Sequence, residues 1–329
     1  MPPNFTGATV GLAAGAQTND SSIDYAQEAT YGVSPTDAYQ ALRFTGETLK
    51  GSTTRNRPDE INAIREAAQG VTTQISASGT ISGALSSGTY DDLLAGVMGN
   101  DWTNGALTNG NMDKSYTFRK KLLGGFVHYR GTIINQVQIQ MQQGSFATIS
   151  VDLISAEELR SQTDIAKSVN PAPTGRVFNT VNNFLKLMVN GKVPGGCATS
   201  VSLTFARDGS GADYGNGSAA ACGMRLGSYT ATGSLELYFR SFDEWDAAKA
   251  ELQGEIIIQT ADNAGNGYEF KFLNALLTDP AININQKNAT VKATFSIEGN
   301  PLETGGTTVT ITKLPVAGGG SGASGTTGG

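Results

Sequence analysis

The sequence is poor in the residues from which most active sites are built. Its one histidine, His128, lies in an alternating stretch between Val127 and Tyr129. A single imidazole excludes a His-rich metal site and leaves at most one base for a Ser-His-Asp or Cys-His arrangement, so we interpret His128 as structural. Neither a G-x-S-x-G elbow nor a G-x-x-x-x-G-K-[ST] phosphate loop occurs. We therefore predict that the protein is not an enzyme and holds no cofactor.

Acidic residues are not spaced for a metal ion either. The pair Asp91-Asp92 does not fit the D-x-[DN]-x-[DN]-G pattern of an EF-hand. Asp262, Asn263 and Asn266 carry side chains that could bind Ca²⁺, but their place in the run TADNAGNGYE is better explained by turn formation. We expect no metal site.

Cysteine and long apolar runs are also scarce. Cys197 and Cys222 are the only cysteines in 329 residues, which is no disulfide framework, and two buried free thiols are favoured over a disulfide between them. No run of 18 apolar residues exists, and the first residues lack a basic segment. We expect a soluble protein without a membrane partner.

Positive charge is missing from the start of the chain. The net charge is −6, and no Lys or Arg precedes Arg43. A protein that grips nucleic acid needs clustered basic residues, so this class is disfavoured. The acidic first forty residues fit either a solvated arm or a surface that avoids binding a passing polyanion.

What the sequence does contain is a strand followed directly by a helix, at residues 73–98. From Thr73 to Leu85 small side chains alternate between an apolar and a hydroxyl-rich face, which predicts a half-exposed strand. The spacing then becomes helical, with Thr89 as a possible cap and Asp91 and Asp92 in the first turn, where the helix N-terminus favours negative charge.

The same unit recurs in the second half of the chain. Residues 228–252 predict an alternating strand and a helix capped by Ser241 and Glu244. Each helix is followed by two alternating runs joined by a polar turn, at 136–155 and 280–299. With 42 glycines and only 16% charged residues, the chain is predicted to be mostly β (α+β), a β-sandwich or barrel of two similar β-α-β-β halves with short flanking helices.

The ends of the chain have a different composition from its middle. Residues 1–23 predict an N-terminal arm, residues 24–314 one domain with halves at about 24–170 and 175–314, and residues 315–329 a Gly/Ser-rich flexible tail. Hairpin turns are predicted at Gly124-Gly125 and Asn190-Gly191. The charged stretch 50–72 has too few apolar residues for a buried helix, and we interpret it as a long excursion.

Four motifs in a fixed order give the chain a family resemblance. They are E-x-T-Y-G-x-x-P from Glu28, F-T-G-E-x-L from Phe44, R-P-D-E-I from Arg57 and S-G-T-Y-D-D-L-L from Ser87. With them, the chain resembles the tail tube (major tail) proteins of long-tailed bacteriophages over most of residues 24–300.

The resemblance implies a structural virion component. Subunits of that family form hexameric rings with a ring-wide β-barrel, and the rings stack into a tube that conducts DNA without binding it specifically. It further implies assembly in the host cytoplasm, with tape-measure and tail-terminator or tip proteins as partners. For residues 50–72 it implies contacts between neighbouring rings, with these candidates: Arg55, Arg57, Asp59, Glu60 and Arg65.

The lumen wall is predicted from the two duplicated strands, 73–86 and 228–240, because each has a hydroxyl-rich face without lysine or arginine. The candidate residues are Ser76, Ser78, Thr80, Ser82, Thr230, Thr232, Ser234 and Glu236. A competing placement turns these faces outward and the Gln136–Gln142 face inward.

Two other functions remain open from the sequence. One is the inner tube of a contractile injection or type VI-like secretion machine, which shares the architecture but carries no DNA. The other is a monomeric β-sandwich module for adhesion or carbohydrate binding, which should expose clustered aromatic side chains on one face. Trp102 and Trp245 are the only tryptophans, and the pattern places Trp245 on the apolar face of a helix.

Overall fold

The structure is a computed structural model that describes residues 15–315 except 62, 65, 285–286 and 304. It is mostly β, as predicted. After a short 3₁₀ turn at Thr18–Asp20, the first half contains β1 Ser22–Gln27, β2 Ala38–Ala41, β3 Gly46–Glu47, β4 Lys50–Asn56, β5 Val71–Ala84, α1 Asp91–Met98, β6 Ala106–Thr108, β7 Tyr116–Leu122, β8 Gly125–Gln142, β9 Thr148–Ser155, β10 Glu157–Ser161 and β11 Ser168–Asn170.

The second half repeats much of this order. It contains β12 Phe184–Val189, β13 Ala198–Asp208, β14 Gly211–Asp213, β15 Gly223–Arg225, β16 Ser228–Tyr238, α2 Asp243–Lys249, β17 Gly254–Ala261, β18 Gly267–Asn283, β19 Lys292–Asn300 and β20 Val309–Leu314. In the described part of the chain, no helix is both long and apolar enough to cross a membrane.

One layer of the sandwich is a run of eight antiparallel strands, here called the eight-strand sheet. Its order is β4-β5-β9-β8-β13-β16-β19-β18. The first four strands form the first segment and the last four the second segment. The two segments have the same internal pairing, and β8 pairs with β13 at the junction between them.

The second layer covers the apolar face of the eight-strand sheet. In the first half it is built from β2, β1, β7, the start of β8, and β10. In the second half it is built from β12, β17, the start of β18, β20 and β6. Strands β8 and β18 each run from one layer into the other. These two strands therefore connect the layers through continuous backbone.

The core lies between the layers and follows the predicted alternation. On β5, Ala77 and Ile81 are buried, and on β16, Ala231 and Leu235 are buried. Phe270 and Phe272 of β18 close the second half from the other layer, and Phe205 of β13 stacks against both rings. Burying an aliphatic or aromatic side chain contributes about 1.5–3 kcal/mol, so the alternation fixes which face of each strand turns inward.

Both predicted hairpin turns form, one of them shifted by a residue. The turn between β7 and β8 is centred on Leu123 and Gly124, with φ of 50° and 74°, whereas Gly124-Gly125 was predicted. The turn at Asn190-Gly191 has φ of 52° and 75°. Positive φ at both central residues gives the tight turn that matches the twist of antiparallel strands.

The predicted helix caps were wrong. The N-cap of α1 is Tyr90 and that of α2 is Phe242, and neither side chain caps its helix. Thr89 instead shares a hydroxyl hydrogen bond of 2.6 Å with Ser86. Glu244 accepts the Gly195 N–H at 2.8 Å, so a neighbouring hydroxyl occupies Thr89 and a tertiary partner occupies Glu244.

The segment 50–72 was interpreted as a long excursion, and the structure shows that its first third and its last two residues are paired strand. Residues Lys50–Asn56 form β4, which extends a hairpin with β5. Residues 57–61 and the described residues of 63–70 lie outside regular secondary structure. The reason is backbone pairing, since β4 exposes all seven of its residues and needs no apolar side chain to be a strand.

The first half contains a buried ion pair that the sequence did not reveal. Nε and Nη2 of Arg119 donate to the two carboxylate oxygens of Asp24 at 2.6 and 2.8 Å, and both side chains are 2% exposed. Asp164 is a further partner of the guanidinium, which also lies 5.0 Å from the ring centroids of Tyr39 and Phe126. This pair joins β1 to β7 inside the second layer.

The limits of the predicted arm and tail fall mostly outside the described residues. Of the arm, 1–23, the structure describes residues 15–23, and of the tail, 315–329, it describes Pro315. The domain limits therefore stay predictions.

Candidate assembly surfaces

The outer face of the eight-strand sheet is polar across both segments. One row that runs straight across the strands consists of Ser82, Ser150, Gln138, Thr204, Thr232 and Glu298. The next row consists of Thr148, Gln140, Ser202, Ser234, Ser296 and Thr278. These residues alternate with core residues, so hydroxyl, amide and carboxylate groups dominate this face, interrupted by Leu276 opposite Glu298 and by Ile154 opposite Ser78.

The two competing predictions for the lumen wall describe the same face. The strands predicted to carry it, β5 and β16, are linked through β9, β8 and β13, and Gln138 lies in the row that contains Ser82 and Thr232. The structure thus brings the eight lumen candidates and the four glutamines Gln136, Gln138, Gln140 and Gln142 to one side of one sheet. They are all exposed or half-buried. From the sequence the two sets were alternatives for the lumen wall, because the register between distant strands was unknown.

Charge on this face is sparse and only partly paired, because Lys50, opposite Ser78, and Glu298, opposite Thr232, have no ion-pair partner among the described residues. Glu236 forms an ion pair of 2.7 Å with Lys292 and accepts the Thr199 hydroxyl. Hydrogen bonds from Lys292 and Thr199 lower the pKa of Glu236, and the bond to Glu236 raises the pKa of Lys292. Asp152 accepts the Thr80 hydroxyl at 2.6 Å. The face therefore presents few cations to a phosphate backbone.

Four of the five candidates for contacts between rings lie at the end of the β4–β5 hairpin, and Arg65 falls outside the described residues. Arg55 donates to the Gly70 carbonyl at 2.6 Å, which closes the base of the loop. Within the part of the chain that the structure describes, Arg57, Asp59 and Glu60 have no ion-pair partner. The loop also exposes Ile61 and Ile64 to solvent.

The loop 209–227 lies against the first half. It joins β13 to β16, as 57–70 joins β4 to β5, and contains the small hairpin β14–β15. The Ile75 N–H donates to the Ala219 carbonyl at 2.7 Å, and the Tyr214 hydroxyl donates to the Ile75 carbonyl at 3.1 Å. Since β4 and β13 run in the same direction, both loops leave the same end of the sheet.

The two helices differ in how much of their surface is covered. In α1, all residues from Leu93 to Met98 are buried, and Arg207 of β13 donates to the Val97 carbonyl at 2.8 Å. In α2, only Ala248 is buried. Beside it Phe242 and Leu252 are 56% and 52% exposed, although Leu252 was predicted on the apolar face with Trp245, which is half-buried against the core.

Residues considered for catalysis or metal binding have structural surroundings. Asp262 accepts the Ala264 and Asn266 N–H groups at 2.8 and 3.0 Å, which is turn formation. His128 is buried, and burial together with the nearby Arg119 charge lowers its pKa. Over the described residues, no group of three or more His, Cys, Asp or Glu side chains is placed to hold a metal ion.

The prediction for the two cysteines was half right. Cys197 and Cys222 are free thiols, but both are exposed rather than buried. Each lies in a loop beside a strand edge, where burial by the core does not reach.

Comparison with protein families gives one match. The family described as phage tail tube protein matches residues 18–312, which covers both segments, both helices and nearly all of the second layer. A comparison with curated proteins found no match. A structural role in a virion tail agrees with the polar sheet face and exposed loops described above, and the chain belongs to the phage tail tube protein family.

Proposed function

We propose that the chain forms rings that stack into a tube, with the polar face of the eight-strand sheet lining a lumen through which DNA leaves the virion. The observation that carries this proposal is the sheet itself, whose apolar face is buried and whose other face is mostly polar across both segments. A face with few cations gives phosphates little to bind, so DNA would slide along it. The six subunits per ring that the resemblance implies stay a prediction, as do its tape-measure and terminator partners.

Electron microscopy of the purified protein, alone and with tail-initiating partners, tests the assembly. We expect tubes of constant diameter. Monomers at high protein concentration in the presence of those partners would contradict the proposal.

The lumen assignment has a separate test by labelling. A Ser82→Cys variant should be protected in intact tubes from maleimides too bulky to enter the lumen, whereas Lys121→Cys, on the exposed end of β7 in the second layer, should be labelled. Both variants need Cys197 and Cys222 replaced by serine, because both thiols are exposed. Equal labelling at Ser82 and Lys121 would show that the polar face points outward.

The charge of the lumen can be changed directly. Ser78→Lys with Ser82→Lys should leave assembly intact but slow genome ejection, and added salt should relieve the delay because phosphate contacts weaken with ionic strength. A matched Ser78→Gln and Ser82→Gln variant adds length without charge. If the two variants eject at the same rate, DNA does not contact this face.

Contacts between rings are proposed for the 57–70 loop. Arg57, Asp59 and Glu60 lack ion-pair partners within the described chain, and the loop leaves the sheet at the same end as the 209–227 loop. Exposed ion pairs contribute only about 0–1 kcal/mol each. Each pair would be repeated around a ring, so their contributions would add. Arg57→Glu should block elongation and leave the subunit folded, while Lys121→Glu, at the exposed end of β7 and without an ion-pair partner among the described residues, serves as the charge control. If tubes of Arg57→Glu elongate normally, the 57–70 loop does not form the contact between rings.

A further inference from the structure

Strand β4 ends the eight-strand sheet on the side of the first segment. Thr48, just before β4, donates its N–H to the Thr80 carbonyl of β5 at 3.0 Å. Because backbone N–H groups alternate in direction along a strand, those of Leu49 and Gly51 point away from β5. Outward N–H groups of this kind are where a further strand can add to a sheet.

Carboxylates of the same chain occupy both outward N–H groups. Leu49 donates to Glu47 and Gly51 donates to Glu158, each at 2.8 Å. The Leu49 carbonyl, which faces the same way as its N–H, accepts the Tyr129 hydroxyl at 3.0 Å. Three outward backbone groups of this edge are therefore bonded to side chains rather than to a strand.

The second segment shows the same edge without carboxylates. Ala77 of β5 and Ala231 of β16 begin matching runs of sequence. Their partners across the sheet are Gly51 and Phe205, so β4 is the equivalent of β13. The corresponding edge of β13 is paired with β8 over residues 200–206. The two carboxylates at β4 thus lie where a neighbouring strand lies in the second segment.

The contact between Glu158 and Gly51 depends on the glycine. A Cβ at position 51 would lie 3.1 Å from the Cβ and Cδ of Glu158, which is closer than ordinary van der Waals contact. Glu158 belongs to β10 of the second layer and lies directly opposite Tyr129 of β8. The second layer therefore places this carboxylate over the edge of the eight-strand sheet, and the absence of a side chain at Gly51 lets it approach the backbone.

The two carboxylates differ in how firmly they are held. Glu47 forms an ion pair of 2.8 Å with Lys120 and is 21% exposed. Glu158 is exposed and has no ion-pair partner among the described residues. A carboxylate that no cation holds leaves its hydrogen bond at a lower cost than one fixed by a cation. Glu158 is therefore the more easily released of the two.

We propose, on the basis of the tube function above, that Glu158, assisted by Glu47, forms an autoinhibitory contact that keeps the free subunit from adding a strand at the β4 edge. Carboxylates at a sheet edge oppose unwanted pairing, because an incoming strand must displace them and cover their charge. The free subunit then stays unassembled until the partners that initiate the tail overcome this contact.

Removal of the carboxylate tests the proposal. Glu158→Ala frees the Gly51 N–H, and the variant should assemble without tail-initiating partners at a subunit concentration about tenfold lower than the unmodified protein, because the hydrogen bond that is lost has a charged acceptor. Light scattering measures the onset of assembly, and microscopy identifies tubes.

Glu157→Ala is the matched control. It removes the same charge from the neighbouring residue of β10, whose carboxylate pairs with Arg130 and not with β4. If Glu158→Ala begins to assemble at no lower concentration than Glu157→Ala, the contact does not inhibit assembly and the proposal is overturned.

Hydrogen exchange of the unmodified free subunit tests the contact even if Glu158→Ala does not fold. The Gly51 amide should exchange about tenfold more slowly than the same sequence unfolded, because its N–H is held by a carboxylate. Exchange at the unfolded rate overturns the proposal. Failure of the unmodified protein to form tubes with its initiating partners would instead contradict the proposed function.

Discussion

The two halves of the molecule share a strand plan but differ in what surrounds it. The rows of the eight-strand sheet correspond residue by residue, and Gly79 and Gly233 occupy equivalent places where an added Cβ would lie 2.6 and 2.5 Å from neighbouring backbone. In contrast, α1 is enclosed by the second half, whereas α2 stays largely exposed. Strand alternation is thus sufficient to define the wall, and the cover of each helix depends on the segment that follows it.

The largest effect is expected from the ion pair present in the second layer of the first half. Arg119→Met leaves the Asp24 carboxylate buried without its partner, and breaking a buried pair in this way costs about 3–5 kcal/mol. Chemical denaturation of the unassembled subunit measures this loss. Combining Arg119→Met with Asp24→Asn should recover part of it, because no buried charge is then left. An unchanged unfolding midpoint in Arg119→Met would mean that this layer does not depend on the pair.

The helix comparison can be tested by truncation. Leu94→Ala in α1 should lower the free energy of unfolding by about 2–5 kcal/mol, because the side chain is fully buried and leaves a cavity. Trp245→Ala in the half-buried face of α2 should cost the isolated subunit less, yet reduce tube formation if a second copy covers this helix. Equal destabilisation of the subunit by both changes would remove the distinction between the helices.

The contact between the halves should have a moderate effect. The Tyr268 hydroxyl accepts the Gly88 N–H at 2.8 Å and donates to Asp91 at 2.5 Å, which ties β18 to the start of α1. Tyr268→Phe leaves the Gly88 N–H without its partner and removes one of the two partners of Asp91, which keeps Lys313 at 2.5 Å, and it should cost about 1–3 kcal/mol. Tyr238→Phe, on the polar face, should stay within about 0.5 kcal/mol. Thermal or urea unfolding of both variants separates the two cases.

The smallest effect concerns the pH dependence of the free energy of unfolding. It should arise from the first half, because the one histidine of the chain, His128, lies there. Burial and the Arg119 charge lower the pKa of His128, while Asp164 and Asp24 act in the opposite direction. In the unfolded chain the histidine has a pKa near 6.5. Near and below this pH the unfolded chain therefore binds a proton more readily than the folded chain. Stability should fall as the pH drops below about 6.5. His128→Asn should flatten this slope between pH 7.5 and 5; an identical slope would assign it to other groups.

Alternation and motif order were enough to predict the mostly β fold, the duplicated module and the family. The strand at 73–85 was predicted with its apolar face correct, because Ala77, Ile81 and Leu85 alternate with polar residues and are buried. Local rules failed where tertiary partners compete. Glu244, expected to cap α2 with Ser241, instead accepts the Gly195 N–H at 2.8 Å.

The assembly surfaces were only partly predictable, because they depend on register between distant strands. No local pattern places Gln138 beside Ser82 and Thr232 on one face. A signal was nevertheless present: the run Ala77-Ser78-Gly79-Thr80 is repeated as Ala231-Thr232-Gly233-Ser234. Aligning these runs gives the equivalence of the two segments, and with it the positions of the sheet edges. The roles proposed for the lumen residues and for Arg57 stay predictions.

The pairing of β8 with β13 also changes the thermodynamics of building a ring. Each free subunit that joins an assembly loses translational and rotational freedom, at an estimated cost of about 4–15 kcal/mol. Covalent fusion of two segments means that one of every two joints forms when the chain folds, at no such cost. A ring built from a given number of segments would then need half as many chains to associate as unfused segments would. Fewer partly closed rings would accumulate at a given subunit concentration, which favours complete rings over open fragments of wall.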